Sequence, residues 1–139
     1  ENRVCDGVST LTELAALTAL CHCLVVDLDE RVARGERLAV LPPWHVQENK
    51  WRAARYGLDA IVILDADSSE RLVTDDLVDL VARLAPVAER LGCAEELQGV
   101  LALVGRGASY QRPRAVAERT GGDLVAVVDS VVQELRDSL

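Results

Sequence analysis

Phenylalanine and methionine are absent from this 139-residue chain, and aromatic residues make up only 3% of it. A core built without them must interdigitate Leu, Val and Ala, a composition that suits packed helices. Cations are also in short supply: 15 Lys and Arg stand against 23 Asp and Glu, giving a formal net charge of −8 and a pI near 4.7. That balance argues against DNA or RNA as the main partner, because affinity for phosphate backbones comes from clustered Lys and Arg. No apolar run is expected to approach the roughly 20 residues that cross a bilayer. No signal peptide opens the chain either, so no membrane partner and a cytoplasmic location are expected. CxxC pairs are missing as well. Cys21 and Cys23 flank His22, but residues two apart on a helix point about 200° apart. They cannot chelate one ion from that helix, and reduced, mostly core cysteines are expected.

What is present is apolar content, half of all residues, enough for one domain with a hydrophobic core. Thr10 and Glu13 form a T-x-x-E capping box. Leu11, Leu14, Thr18, Cys21, Val25, Leu28 and Val32 then recur at three- and four-residue steps, which predicts one buried stripe on a long helix ending at Gly35. A connector closes on Pro42-Pro43, a start signal for a second helix over residues 44–56 that Gly57 ends. Residues 60–64 centre on the β-branched run Ile61-Val62-Ile63 and read as a strand, and a polar turn leads to a second strand over residues 71–73, a hairpin. Thr74 is the expected cap of a helix that Pro86 should kink or split before Gly92. Helices around residues 97–104, after Pro113, and from an Asp123 cap complete the chain. The total is helix-rich α+β with few antiparallel strands, read as a single unit over residues 1–139. Residues 3–6 also look like a strand, whose hydrogen-bonding partners are expected in sequence upstream of Glu1.

Two segments carry local positive charge in an acidic background. Lys50, Arg52 and Arg55 face only Glu48, and residues 97–117 hold Arg106, Arg112 and Arg114 with no acid. A nucleotide or a phosphorylated intermediate would use such charge, although three cations on a helix also make an ordinary solvated face. Asn49, Arg52 and Tyr56 share one helical face, a ribbon able to recognise a polar ligand. Trp44 and Trp51 are expected to pack that helix down, and His45 reads as a surface histidine. At the start of the chain, strand geometry would put Glu1 and Arg3 on one face, roughly 6–7 Å apart. A hard cation takes oxygen ligands, and an arginine can hold phosphoryl oxygens; a simple salt bridge fits the same pair.

Together these segments resemble the carboxylate–amine ligases, also called the type 2 glutamate–cysteine ligase family. The stretch from Trp44 to Ala60 is similar to their E-N-K-W-x-A-x-R-Y-G-L-D-A signature. Glu1-Asn2-Arg3-Val4-Cys5-Asp6 resembles their E-x-R-V-x-D strand, and Gln111-Arg112 resembles their Q-R motif. The resemblance implies the carboxyl-terminal part of a glutamine-synthetase-like catalytic domain that uses ATP and Mg²⁺. A carboxylate is phosphorylated and an amine then displaces phosphate. It further implies Glu1 as a metal ligand, Arg3 as the catalytic arginine facing the phosphoryl group, and Asn49, Lys50, Arg52 and Arg112 as nucleotide or substrate contacts. The family's amino-terminal carboxylate-bearing strands have no counterpart here. The expected partners are therefore the small-molecule carboxylate and amine substrates and the missing amino-terminal half, in the same or a separate chain. A homo-oligomer is a further possibility, and a non-catalytic subunit that completes another chain is the alternative function.

Overall fold

The computed structural model describes residues 7–139. The strand expected over residues 3–6, and with it Glu1 and Arg3, lies outside the described residues. Among the described residues the chain forms helices α1 (Leu11–Ala33) and α2 (Pro43–Tyr56), a 3₁₀ turn (Gly57–Asp59), strands β1 (Ile61–Ile63) and β2 (Glu70–Leu72), and helices α3 (Val73–Leu91), α4 (Ala94–Arg106), α5 (Gln111–Arg119) and α6 (Leu124–Arg136). This is the expected helix-rich α+β class, with one antiparallel pair of register Ile61↔Leu72, Val62↔Arg71 and Ile63↔Glu70.

The core lies where α1, α3 and α4 meet. Ala16, Ala19 and Cys23 of α1 pack with Val81, Leu84, Val87 and Ala88 of α3 and with Leu97 and Val100 of α4. The stripe predicted for α1 is not the buried one: Leu11, Leu14, Val25 and Val32 are exposed, and Ala16, Ala19 and Cys23 point inward. The reason is the closeness of the helices. A Cβ added at Gly99 would stand 3.0 Å from the Ala16 Cβ, so the α1–α4 contact admits only small side chains, and the larger apolar residues are turned outward. By length and composition alone α1 is also long and apolar enough to cross a membrane, and 22% of its apolar window is buried, contrary to the expectation from apolar runs. Arg83 and Arg90 of α3 tie its outer edge to α1 through Asp27 and Glu30.

Capping explains most element ends. The Thr10 hydroxyl accepts the Glu13 N–H at 3.1 Å, and Asp123 accepts the N–H groups of Val125 and Ala126 at 2.9 and 3.3 Å, as the sequence suggests. Gly92 takes the left-handed conformation that closes α3 (φ 71°). Two expected boundaries are not found here. Thr74 does not cap α3, which starts at Val73 after Leu72 because the Val73 N–H is used by the Ala60 carbonyl at 2.9 Å. Pro86 does not split α3 either: Leu84, Val87 and Ala88, buried on both sides of it, hold the helix as one piece.

Candidate functional site

Helix α2 meets the hairpin through side chains that complete a strand edge. Pairing with β2 uses the backbone groups of Ala60, Val62 and Leu64: Val73 N–H donates to Ala60 O at 2.9 Å and Leu64 N–H to Ser69 O at 2.8 Å. Alternation then turns the groups of Ile61 and Ile63 to the opposite edge, where an unpaired N–H or C=O would be costly beneath a helix. Asn49 supplies both partners of Ile63, its amide donating to Ile63 O and its Oδ1 accepting Ile63 N–H, each at 2.8 Å. One turn along, Arg52 donates to Ile61 O at 3.0 Å. Its Nε donates to Glu48 at 2.8 Å, and the same Nη1 that meets Ile61 O donates to Glu70 at 2.7 Å; these carboxylates, Glu48 first, raise its pKa above the ordinary arginine value. Asn49 and Arg52 are thus brought together as a surrogate strand for β1.

Beneath the start of α2 lies His45, which is fully buried rather than on the surface. Its Nε2 is 3.1 Å from Ser68 Oγ, and its Nδ1 has no hydrogen-bond partner among the described residues. Ser68 adopts a left-handed backbone (φ 65°) in a hairpin loop folded around Asp65, whose Oδ1 accepts the N–H groups of Asp67 and Ser69 at 2.9 and 3.0 Å. Hydrogen bonds from Ser69, side chain first, hold the Asp65 carboxyl below its ordinary value. The tryptophans expected to pack α2 down are instead exposed, Trp44 at 63% and Trp51 at 57%.

The end of α2 and the start of α5 form a second joint. Gly57 has φ 56°, and a Cβ there would stand 2.5 Å from the Tyr110 ring and hydroxyl. Only glycine lets Tyr110 approach and donate its hydroxyl to Tyr56 O at 3.0 Å. Next to this contact, Gln111 accepts Ala108 N–H at 2.8 Å and donates to Asp59 at 3.3 Å. The Tyr56–Asp59 part of the long signature therefore touches the Tyr110–Arg112 segment across more than fifty positions of sequence. Between them opens a cleft of about 410 Å³, whose polar wall comprises Asp59, Thr74, Arg106, Gln111 and Arg112.

Within that wall Arg112 is heavily engaged. Its guanidinium donates to Glu134 of α6 at 3.0 Å, to Glu13 Oε2 of α1 at 3.1 Å and to the Gly107 carbonyl, and it stands 2.8 Å from Glu13 Oε1 as an ion pair. Glu13 is 4% exposed, so one cation neutralises a buried acid and joins three helices. The partner carboxylates outweigh desolvation and raise the Arg112 pKa. Glu13, expected to close the capping box, serves Arg112 instead. Arg106 and Lys50 are exposed and make no hydrogen bond or ion pair among the described residues. Sequence reasoning did not single out Asp59 or Tyr110 as structural partners, although Asp59 lay inside a quoted motif, and it paired Glu13 with Thr10 rather than with Arg112. No group of three or more His, Cys, Asp or Glu able to hold a metal occurs among the described residues, so these residues do not by themselves form a Mg²⁺ site.

Residues 1–130 match the model of a family described as glutamate–cysteine ligase family 2. A protein of a Nocardioides species is 73% identical over the whole chain, and proteins of Nocardia farcinica and Rhodococcus jostii are 67% and 68% identical over 135 residues. All three carry the name "putative glutamate–cysteine ligase 2" with a serial number. The chain spans 37% of the first relative's length and 36% of the other two.

Proposed function

Because the chain belongs to glutamate–cysteine ligase family 2, we propose that it is the carboxyl-terminal part of an ATP-dependent carboxylate–amine ligase and supplies one wall of its active site. The observation that carries this reading is the meeting of the Tyr56–Asp59 and Tyr110–Arg112 segments beside one cleft with a polar wall. Family-signature residues distant in sequence converge on a concavity that contains an uncommitted cation, Arg106.

In the proposed reaction a substrate carboxylate oxygen attacks the γ-phosphorus of ATP, ADP leaves, and an acyl phosphate forms. The amine nitrogen then attacks the acyl carbon, phosphate departs with the bonding pair, and the nitrogen loses a proton as the amide forms. Glutamate and cysteine are the substrate pair suggested by the relatives' names. Arg106 and Lys50 have charge to offer a phosphate or a carboxylate, because no acid neutralises either among the described residues. Asn49, Arg52 and Arg112 act on the site through the scaffold they hold, and Arg112 reaches a ligand only by exchanging a carboxylate partner. Arg3 would face the transferring phosphoryl group and Glu1 would be a metal ligand. Mg²⁺ binding thus rests on Glu1 and on carboxylates supplied by polypeptide beyond this chain, in a cytoplasmic enzyme.

The test uses a polypeptide of the relatives' full length with ATP, Mg²⁺, glutamate and cysteine. ADP release should require both amino acids. Arg3→Ala should lower turnover by orders of magnitude, and Arg106→Ala should raise the KM of one substrate with the fold intact. No ADP release with any carboxylate and amine tried would remove the ligase reading.

A second reading is favoured by the exposed apolar residues of α1, α2 and α6, which include Trp44, Trp51, Leu124 and Val125. Such surface fits a non-catalytic subunit that docks on a separate amino-terminal chain. A native complex of two different polypeptides, with every catalytic group on the larger, would favour it.

A further inference from the structure

We propose that Cys23 and Cys93 are a dithiol pair that a small external disulfide converts into an intramolecular bridge between α1 and the α3–α4 turn. Their sulfurs lie 3.7 Å apart although the residues are 70 positions apart in sequence. Bond formation requires closure by roughly 1.6 Å. Cys93 can supply that movement by rotating its side chain, because it is the residue before α4 and not inside a helix.

The two thiols differ in access, and this orders the chemistry. Cys23 is fully buried in the α1–α3–α4 core. Cys93 is half-buried and lies on the wall of a groove of about 370 Å³ between α1 and α4, with Ala15, Thr18, Ala19, His22 and Glu96. The groove is large enough for a small organic disulfide and leads to one sulfur only. Burial, together with the Cys93 contact, pushes the Cys23 thiol up to about 11, which makes it a poor first nucleophile.

Cys93 therefore attacks first. Its thiolate displaces one half of an external disulfide R–S–S–R, and the departing thiolate takes up the proton that Cys93 has lost. Cys23 then attacks the Cys93 sulfur of the mixed disulfide. The second R–S⁻ leaves and is protonated in turn. Two protein thiols are oxidised and one external disulfide is reduced to two thiols. The resulting bridge would fasten α1 to the turn through its small-residue face, in the middle of the core.

The probe is 2-hydroxyethyl disulfide, added to the whole chain carrying Cys5→Ser and Cys21→Ser. We expect loss of two hydrogens from the intact mass, a Cys23–Cys93 cross-linked peptide after proteolysis, and full reversal by dithiothreitol. Closing a loop of this length should raise Tm by on the order of 10 °C. Cys23→Ser should accumulate the mixed disulfide on Cys93, whereas Cys93→Ser should leave Cys23 unmodified under the same conditions. Should the core not tolerate Cys23→Ser, the half-buried Cys93→Ser variant and the parent protein still decide the matter. A stable mixed disulfide in the parent, modification of Cys23 without Cys93, or no reaction would each overturn the proposal.

Discussion

Replacing Arg112 by Met keeps an unbranched apolar stem, shortens the side chain and removes all of its hydrogen-bond donors. Glu13 would then face the interior with 4% exposure and without its cation, and Glu134, whose side chain is 24% exposed, would turn to water. Breaking a buried ion pair from one side costs about 3–5 kcal/mol. Partial solvation of Glu134 places this case near the lower end, about 3 kcal/mol. At roughly 3–5 °C per kcal/mol for a chain of this size, Tm should fall by on the order of 10 °C. Urea unfolding of Arg112→Met, Glu13→Met and the double variant would measure the coupling directly. The double variant should recover about 2 kcal/mol relative to additivity, because two apolar side chains can replace a buried pair at little net cost. Additive single effects, or a Tm within about 2 °C of the parent for Arg112→Met, would refute the clamp and return Arg112 to the role of a ligand contact.

Asn49→Leu should destabilise by about 2–3 kcal/mol, since it strips both partners from Ile63; hydrogen exchange at the Ile63 amide should accelerate more than at core amides of α3. Gly57→Ala forces Tyr110 aside at a positive φ and should cost about 2–3 kcal/mol. Tyr110→Phe loses only the bond to Tyr56 O and should cost about 1 kcal/mol, so equal losses in urea titrations of the two variants would count against the close approach. Asp65 has a folded-state pKa below its ordinary 3.8, held there by Ser69. Its contribution is therefore present above the unfolded value and is lost as pH falls through the folded one. Asp65→Asn should show a smaller drop in Tm between pH 6 and pH 3 than the parent; an unchanged drop would mean that Asp65 is not held by Ser69 in solution.

The elements of this fold were legible because their signals are local. Thr10, Gly35, Pro43, Gly92 and Asp123 mark helix ends by side-chain or backbone chemistry that needs no knowledge of the partner. The buried face of α1 was not legible, because the helix is apolar on several sides. Periodicity selects the largest side chains, whereas the α1–α4 contact selects the smallest, Ala16 opposite Gly99. His45 was misjudged for a related reason: its burial depends on Ser68 and on a loop closed by Asp65, none of which is close in sequence. In the candidate site the residue types were legible and their partners were not. Asn49, Arg52 and Arg112 stand out as polar groups in conspicuous motifs, but only the tertiary structure shows their donors turned to Ile63, Ile61, Glu48, Glu70, Glu13 and Glu134.

That distinction changes what the motif residues can be asked to do. A guanidinium that already neutralises two carboxylates brings little net charge to a third anion, and replacing one partner with a phosphate requires the displaced acid to find water or another cation. Arg112 is badly placed for such an exchange, because Glu13 is nearly inaccessible. Arg52 is better placed, since Glu48 and Glu70 have side-chain exposures of 42% and 46% and can be resolvated cheaply. Between the two arginines, only Arg52 can switch from sheet-edge support to ligand contact without stranding a buried charge. Under the proposed ATP-dependent reading, a Glu48→Gln, Glu70→Gln variant of a polypeptide of the relatives' full length separates these roles. If Arg52 switches, freeing it from both acids should tighten nucleotide binding, whereas unchanged affinity would confine Arg52 to holding the edge of β1.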